Sequence, residues 1–377
     1  MNMQLNIIPS EASNPAKPSL HDWEAVEAFR KKYRIDPAMV RKFRHLVYNQ
    51  HRQIDSAMSV WGQERHQAIV RDHFDLEVMR VLERHDSTVD PSFKLLLETV
   101  DQHRVETVLI RCGESRASVC VSTQVGCQAG CPFCATARMG LHRNLKAPEI
   151  IQQVLLAAQI TRADQRPLRN VVFMGMGEPL HNEENLYEAI RFLNHHHTFN
   201  MPLRRISVST VGVPDAMIRL IDTFPGLQMA FSLHSARPEL RGRIVPWSRR
   251  YSWEETQEAL RYVATKPKTH RHQGPVMIEH IMIAGVNDSD EDADALIEYL
   301  RGMYVMINLI PYNSNSFVQN WQPTSRERRS EFANRLRNAG IYTTIRYSMG
   351  SDVQAACGQL VVQQDSTQTS LKKPASV

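Results

Sequence analysis

Three cysteines fall within eight residues of a 377-residue chain: Cys127, Cys131 and Cys134, spaced C-x3-C-x2-C. Thiols at such spacing are metal ligands. A zinc site would want a fourth thiolate or imidazole at short range. The nearest candidate, His142, lies eight residues on, and no second C-x2-C occurs. Three thiolates suit a cubane iron–sulfur cluster with one iron left open to a ligand; a zinc knuckle is the alternative. Cys120 and Cys357, taken singly, read as buried core thiols, and Cys112 as incidental. The other residues able to bind or react sit in short strings: GMGEP (175–179), STVG (209–212), SLHS (232–235) and PYNSN (311–315).

Those strings share a position: each follows a short β-rich run. The runs are SVCVST (118–123), NVVFMG (170–175), RISVST (205–210), LQMAFSL (227–233), VMIEHIMI (276–283) and VMINLIP (305–311). Amphipathic helices are predicted between and after them at about 147–163, 184–195, 214–223, 253–265, 289–302 and 325–338. Six βα units in series imply an α/β fold with a parallel sheet, wound or curled as a barrel. In a barrel the chemistry lies where strands end and βα loops begin, so the strings belong to one site. YTTIRYS (342–348) adds a candidate last strand.

Ahead of this core, residues from about Asp22 to Arg84 have apolar steps of three and four (Phe43, Leu46, Val47; Val78, Val81, Leu82) and read as helical. The expected organisation is a flexible 1–20, a helical accessory domain 21–95, a core 96–360 and a disordered tail 361–377. Between Arg30 and Arg52 there are eight Lys/Arg and one acid, Asp36, interleaved with Tyr33, Phe43 and Tyr48. This pattern fits an RNA-backbone face or, equally, a solvated helix with a buried aromatic stripe. Arg204, Arg205 and the Arg241–Arg250 segment add positive charge beside the expected mouth. The runs His195–His197 and His270/His272 are assigned to solvated surface. A net charge of +5 permits a nucleic-acid partner. Hydrophobic residues at 42% argue against wholesale disorder. No apolar run suits a membrane span, and no signal-peptide pattern opens the sequence, so a cytoplasmic address is expected.

The sequence resembles the radical S-adenosylmethionine (SAM) superfamily. Within it, the resemblance is closest to the RlmN/Cfr family of RNA adenine methyltransferases, over about residues 104–360. It is carried by RVETV (104–108), CVSTQVGCQAGCPFCATARMGLHRNL (120–145), FMGMGEPL (173–180), SVSTVG (207–212), FSLHS (231–235), IVPW (244–247), GVND (285–288), INLIPYN (307–313) and GSDVQAACGQL (350–360). The amino-terminal region departs from the family pattern in lacking its Phe-Arg-Ala-Lys-Gln string.

The resemblance implies a partial (β/α)6 TIM-like barrel with a small helical N-terminal domain. It implies a [4Fe–4S] cluster on Cys127, Cys131 and Cys134, whose open iron chelates S-adenosylmethionine and yields a 5′-deoxyadenosyl radical. Cofactor contacts are implied for Gly177, Glu178, Ser209, Ser232, Leu233, His234 and Asn313, with the GMGE glycines allowing close backbone approach to the ligand. Cys357 is implied as the methyl-carrying thiol, Cys120 as the thiol that resolves the base–enzyme adduct through a transient disulfide, and Glu106 as the general base. Two cofactor molecules are used per turnover. The implied substrate is an adenine of 23S rRNA, with C2 favoured over C8, and in some members a tRNA adenine. A monomer reduced by a donor such as flavodoxin is expected. The competing readings are a C8 methyltransferase, a radical enzyme with a non-RNA substrate, which would not need Cys120 or Cys357, and a non-catalytic RNA-binding or iron–sulfur regulatory protein.

Overall fold

Strands rich in Val, Ile, Met and Phe that have packing partners on both faces lose the polar alternation of a half-exposed strand. Val276–Met282 shows this, with six of seven residues buried. The computed structural model describes residues 17–112, 116–265, 274–314 and 321–361. The strands are β1 Met79–Asp86, β2 Ser92–Thr99, β3 Arg104–Cys112, β4 Arg116–Cys120, β5 Gln124–Gly126, β6 Leu141–Asn144, β7 Leu168–Phe173, β8 Ile206–Thr210, β9 Gln228–Ser232, β10 Val276–Met282, β11 Val305–Pro311 and β12 Tyr342–Ile345. The helices are α1 Trp23–Lys32, α2 Pro37–Arg44, α3 Ile54–Ala57, α4 Glu64–His73, α5 Ala135–Arg138, α6 Ala147–Ala163, α7 Glu183–Asn194, α8 Pro214–Thr223, α9 Pro238–Ile244, α10 Trp253–Thr265, α11 Asp290–Tyr299 and α12 Arg326–Asn338.

Ten strands form one sheet in the order β1-β2-β3-β4-β7-β8-β9-β10-β11-β12. From β4 to β12 every pairing is parallel. This is the expected open (β/α)6 barrel, and YTTI supplies its seventh strand. β1 to β4 pair antiparallel and extend the sheet at its other end. The six predicted core helices all form.

The region before β2 differs from expectation. Val81 and Leu82, read at helical spacing, lie in β1, with Val81 opposite Leu97. A register shift between Val81 and Glu83 breaks the period-two pattern that would have marked a strand. The expected domain boundary after residue 95 therefore falls inside β2. The expected flexible 1–20 and disordered 361–377 lie largely outside the described residues, as do His270 and His272.

The amino-terminal helices are tied to the barrel through α6, thirteen of whose seventeen residues are buried. Its Gln152 Oε1 accepts Val78 N–H (2.7 Å) and meets the His21 ring at Nε2 (3.2 Å). The other nitrogen of that fully buried ring meets Tyr48 Oη at 2.9 Å. Burial lowers the His21 pKa from its ordinary 6.5 to about 4. As pH falls below 6.5 the unfolded chain takes up a proton that the folded chain refuses, so stability present above pH 6.5 is lost toward pH 4. This single group amounts to about 3 kcal/mol. The expected result is that His21→Gln removes that part of the acid dependence of unfolding, measured by urea denaturation at pH 7 and pH 4.5.

Candidate active site

The three-cysteine loop is closed at its base by the β5–β6 hairpin, and Cys127 N–H donates to Gly140 O at 2.9 Å. Gly126 sits at φ +80°, and a Cβ there would fall 1.8 Å from Gly140 O, so only glycine lets this hairpin close. Cys127 and Cys131 are buried and Cys134 is half-buried; all three are free thiols. Burial pushes each of them up, Cys127 to about 12; Cys127 also feels the charge of Cys134, and Cys131 that of both others. Ala129 N–H donates to Cys127 Sγ (3.4 Å), and backbone donors from Thr136 and Ala137 reach Cys134.

This donor set fits an iron–sulfur cluster. Metal binding takes buried thiols as thiolates, and N–H groups aimed at the sulfurs stabilise that form. Among the described residues no three His, Cys, Asp or Glu side chains stand grouped as for one metal ion; corner ligands of a larger cluster stand further apart.

Two residues just past the ends of parallel strands, Glu178 and His234, lie against this loop. Glu178 is buried beside Cys127 and Cys131. Its Oε1 accepts Leu180 N–H (3.0 Å) and its Oε2 accepts Val211 N–H (2.8 Å). Burial raises its pKa to about 7. Ser209 and Ser232 meet at 3.3 Å between β8 and β9. His234 adopts φ +59°, and its Nδ1 accepts Ile281 N–H (3.2 Å). Its ring stands edge-on to Phe133 of the cysteine loop, with centroids 5.0 Å apart. Burial holds that ring neutral, with its pKa at about 3.

Packing fixes two details. The GMGE glycines also serve protein packing: a Cβ on Gly175 would lie 2.6 Å from Val121 O, and one on Gly177 2.6 Å from Gln124 Cβ. The Leu233 side chain is buried in the core, so it can face a cofactor only through its backbone.

After β12 the chain folds back as a strap over the mouth. Gly350 N–H donates to Asp90 Oδ2 (2.6 Å), Ser87 Oγ donates to Asp352 Oδ1 (2.7 Å), and Ala135 N–H donates to Gly358 O (2.8 Å). Asn313 Nδ2 donates to Cys357 O (3.2 Å). Cys357 is exposed as a residue, and its sulfur lies within electrostatic reach of Glu279 of β10, of Cys134 and of Cys120 of β4. Desolvation, then Glu279, raises its pKa. Cys120 is buried and its thiol is likewise pushed up. Glu106 Oε2 accepts Val361 N–H at the strap's end (2.8 Å), and Oε1 pairs with Lys94 Nζ (2.7 Å).

Lys94 and Glu279 were missed by the sequence reading. Each is a charged residue within an apolar strand, which is the signal that could have found it. Removing the ammonium leaves the buried Glu106 carboxylate with no counter-charge and only the Val361 N–H to hold it, so Lys94→Met is expected to cost on the order of 3 kcal/mol. Lys94→Met/Glu106→Gln is expected to recover most of it, as read by urea unfolding.

The basic amino-terminal segment resolves into two parts. Phe43 and Tyr48 are core residues, so the aromatic stripe is packing, while Tyr33 is exposed. Lys31, Lys32, Arg34, Arg41, Lys42 and Arg52 are exposed, whereas Arg44 is buried against Trp23, 3.5 Å from its ring centroid. The rings of His195 and His196 stack, His197 lies tilted against them, and His195 meets Trp23 at a tilt. Arg241, expected as surface charge, is 2% exposed.

Residues 121–300 match the Radical SAM superfamily. A protein of Rhodopirellula baltica named Probable RNA methyltransferase is 39% identical over 351 residues, spanning 93% of this chain and 89% of its own. One of Thermotoga neapolitana, named Probable dual-specificity RNA methyltransferase RlmN, is 40% identical over 297 residues, spanning 79% and 83%. Among solved structures, a radical SAM methyltransferase from Sphaerobacter thermophilus superposes with a TM-score of 0.85 at 36% identity, over 91% of this chain and 99% of that one.

Proposed function

We propose, from the premise that this chain belongs to the radical SAM superfamily and within it to the RlmN/Cfr family of RNA methyltransferases, that it methylates C2 of an adenine in 23S rRNA, and a tRNA adenine as a second substrate, through a methyl group carried on Cys357. Membership makes the chain an S-adenosylmethionine-dependent radical RNA methyltransferase. Within the finer reading, the carrier role of Cys357 is supported above all by one observation: its sulfur lies within electrostatic reach of both Cys134 of the cluster loop and Cys120 of β4.

When bound to Cys127, Cys131 and Cys134, a [4Fe–4S] cluster with S-adenosylmethionine supplies the methyl group and the hydrogen-abstracting radical, consuming two cofactor molecules per turnover. The chain's own residues do the rest. Glu178 and the strand-end groups Gly177, Ser209, Ser232, His234 and Asn313 line the cofactor's place, with the Leu233 backbone among them. Cys357 carries the carbon and Cys120 frees the product. Glu106 takes the proton from the adduct carbon. Its two oxygens are held by Lys94 and by the Val361 N–H, so release of the strap's end is what opens one of them to a proton. The exposed lysines and arginines of residues 31–52 track the RNA backbone. A one-electron donor such as flavodoxin and a monomeric state complete the reading. No described helix is long and apolar enough to cross a membrane.

The test is mass spectrometry of nucleosides from 23S rRNA and tRNA of cells with and without the protein. Loss of 2-methyladenosine from both is expected. Loss of 8-methyladenosine instead moves the target atom to C8, and unchanged RNA overturns the reading.

A further inference from the structure

Arg241 is one of the largest fully buried side chains among the described residues, and among them it has no acidic partner. It sits on α9, whose Leu240 and Ile244 pack, with Val245, against Cys127, Ala129 and Cys131. Its guanidinium donates from Nη2 to Val211 O (2.6 Å) and lies 5.2 Å from the Phe231 ring centroid. Its Nε is buried with no hydrogen-bond partner. Room for the group is left by Gly212, at φ +102°, where a Cβ would come within 3.3 Å of Nη2. Among the described residues no carboxylate forms an ion pair with it. Glu178, the buried acid beside the cysteine loop, commits its two oxygens to Leu180 and Val211 N–H groups.

A buried cation left unpaired is strongly unfavourable, and fixed charges act strongly where water is excluded. What lies beside this one is the cysteine loop, against which the helix carrying Arg241 packs through Leu240 and Ile244. Three thiolates on a [4Fe–4S]2+ core carry a net charge of −1, and one added electron makes it −2. A neighbouring fixed cation favours the more negative state.

We propose that Arg241 is the built-in counter-charge of the cluster, a positioning residue that makes its one-electron reduction easier. The inference rests on the reading that Cys127, Cys131 and Cys134 hold a [4Fe–4S] cluster. It predicts that removing the charge shifts the potential downward, whereas a purely structural role for the hydrogen bond to Val211 would change loading or stability and leave the potential in place.

The experiment uses the full chain, reconstituted without oxygen and without RNA. Iron and acid-labile sulfide are assayed first, and reduction is then followed by electron paramagnetic resonance during redox titration. In Arg241→Gln the ratio of reduced to oxidised cluster at a fixed potential is expected to fall about tenfold, a 59 mV shift for one electron. Arg241→Lys, which keeps the charge but not the fork, is expected to stay within about threefold of wild type. Equal potentials in loaded wild type and Arg241→Gln overturn this proposal alone. A wild-type chain that takes up no cluster overturns the underlying site reading as well. Should Arg241→Gln not load, Arg241→Met and Arg241→Lys decide: loading and a native potential in Lys with failure in both neutral variants supports the charge, and failure of Lys too assigns the residue to hydrogen-bond geometry and overturns the proposal.

Discussion

Cys357→Ala is expected to abolish RNA methylation while the cluster and S-adenosylmethionine still bind. Adenine C2 is electron-poor and its hydrogen is not acidic, so it offers a methyl sulfonium no nucleophile. A carrier that first takes the methyl group and then loses a hydrogen to a radical bypasses that obstacle, and a thiol is the side chain suited to it. Among the described cysteines, Cys127, Cys131 and Cys134 are committed to the loop, and Cys120 is buried in a strand with its pKa pushed up. Neither group can substitute for Cys357. The variant should fold, because the strap is held by backbone and neighbouring groups: Asn313 binds the Cys357 carbonyl and Ala135 the Gly358 carbonyl. The measurement pairs iron content and visible absorbance, expected unchanged, with intact-protein mass, expected to lack the 14-Da methyl increment estimated for a thioether (about one CH2), and with methyl incorporation into RNA, expected to be nil. Normal RNA methylation by this variant would sink the carrier role.

The barrel was legible because its signals are local. Apolar runs mark the strands, and proline in the first turns of α6, α8 and α9 marks helix starts. The cysteine spacing and the strand-end strings are local too, so the site's position could be read before its geometry. What escaped depends on contacts distant in sequence or on a broken period. β1 was hidden by its register shift. The strap's anchorage, with Asp352 held by Ser87 and Thr88 some 264 residues away, leaves no pattern in sequence. Arg241 was grouped with Arg243, Arg249 and Arg250 because runs of charge are usually solvated faces. Helical phase was the available clue: Arg241 shares a face with Ile244 and Val245 three and four residues on, while Glu239 and Arg243 point the other way and are exposed. Lys94 in SFKLLLET and Glu279 in VMIEHIMI carry the same kind of clue, a charge where the strand is otherwise buried.

Cys120→Ala is expected to block turnover by a different route, trapping RNA on the protein. Once the carrier's carbon has joined the base, Cys357 is linked to RNA by an S–CH2–C connection. Glu106 removes the proton from the adduct carbon, and the Cys120 thiolate attacks the Cys357 sulfur. The S–S bond forms and the S–CH2 bond breaks; its electron pair goes to the methylene carbon, which takes up a proton to become the new methyl group, and the electron left unpaired by the radical addition would return to the oxidised cluster. The placement agrees with that attack: Cys120 ends β4, opposite Val172 of β7, and its sulfur lies within electrostatic reach of Cys357. No other described thiol is free to replace it, since Cys134 belongs to the loop. Loss of one buried sulfur costs on the order of 1 kcal/mol, too little to unfold the chain. The expected observation is a retarded band on a denaturing gel that ribonuclease trims to protein plus a nucleotide remnant at Cys357, absent in Cys120→Ala/Cys357→Ala. If Cys120→Ala stops methylation and no adduct accumulates, resolution by Cys120 is wrong; if it methylates RNA normally, another group breaks the bond.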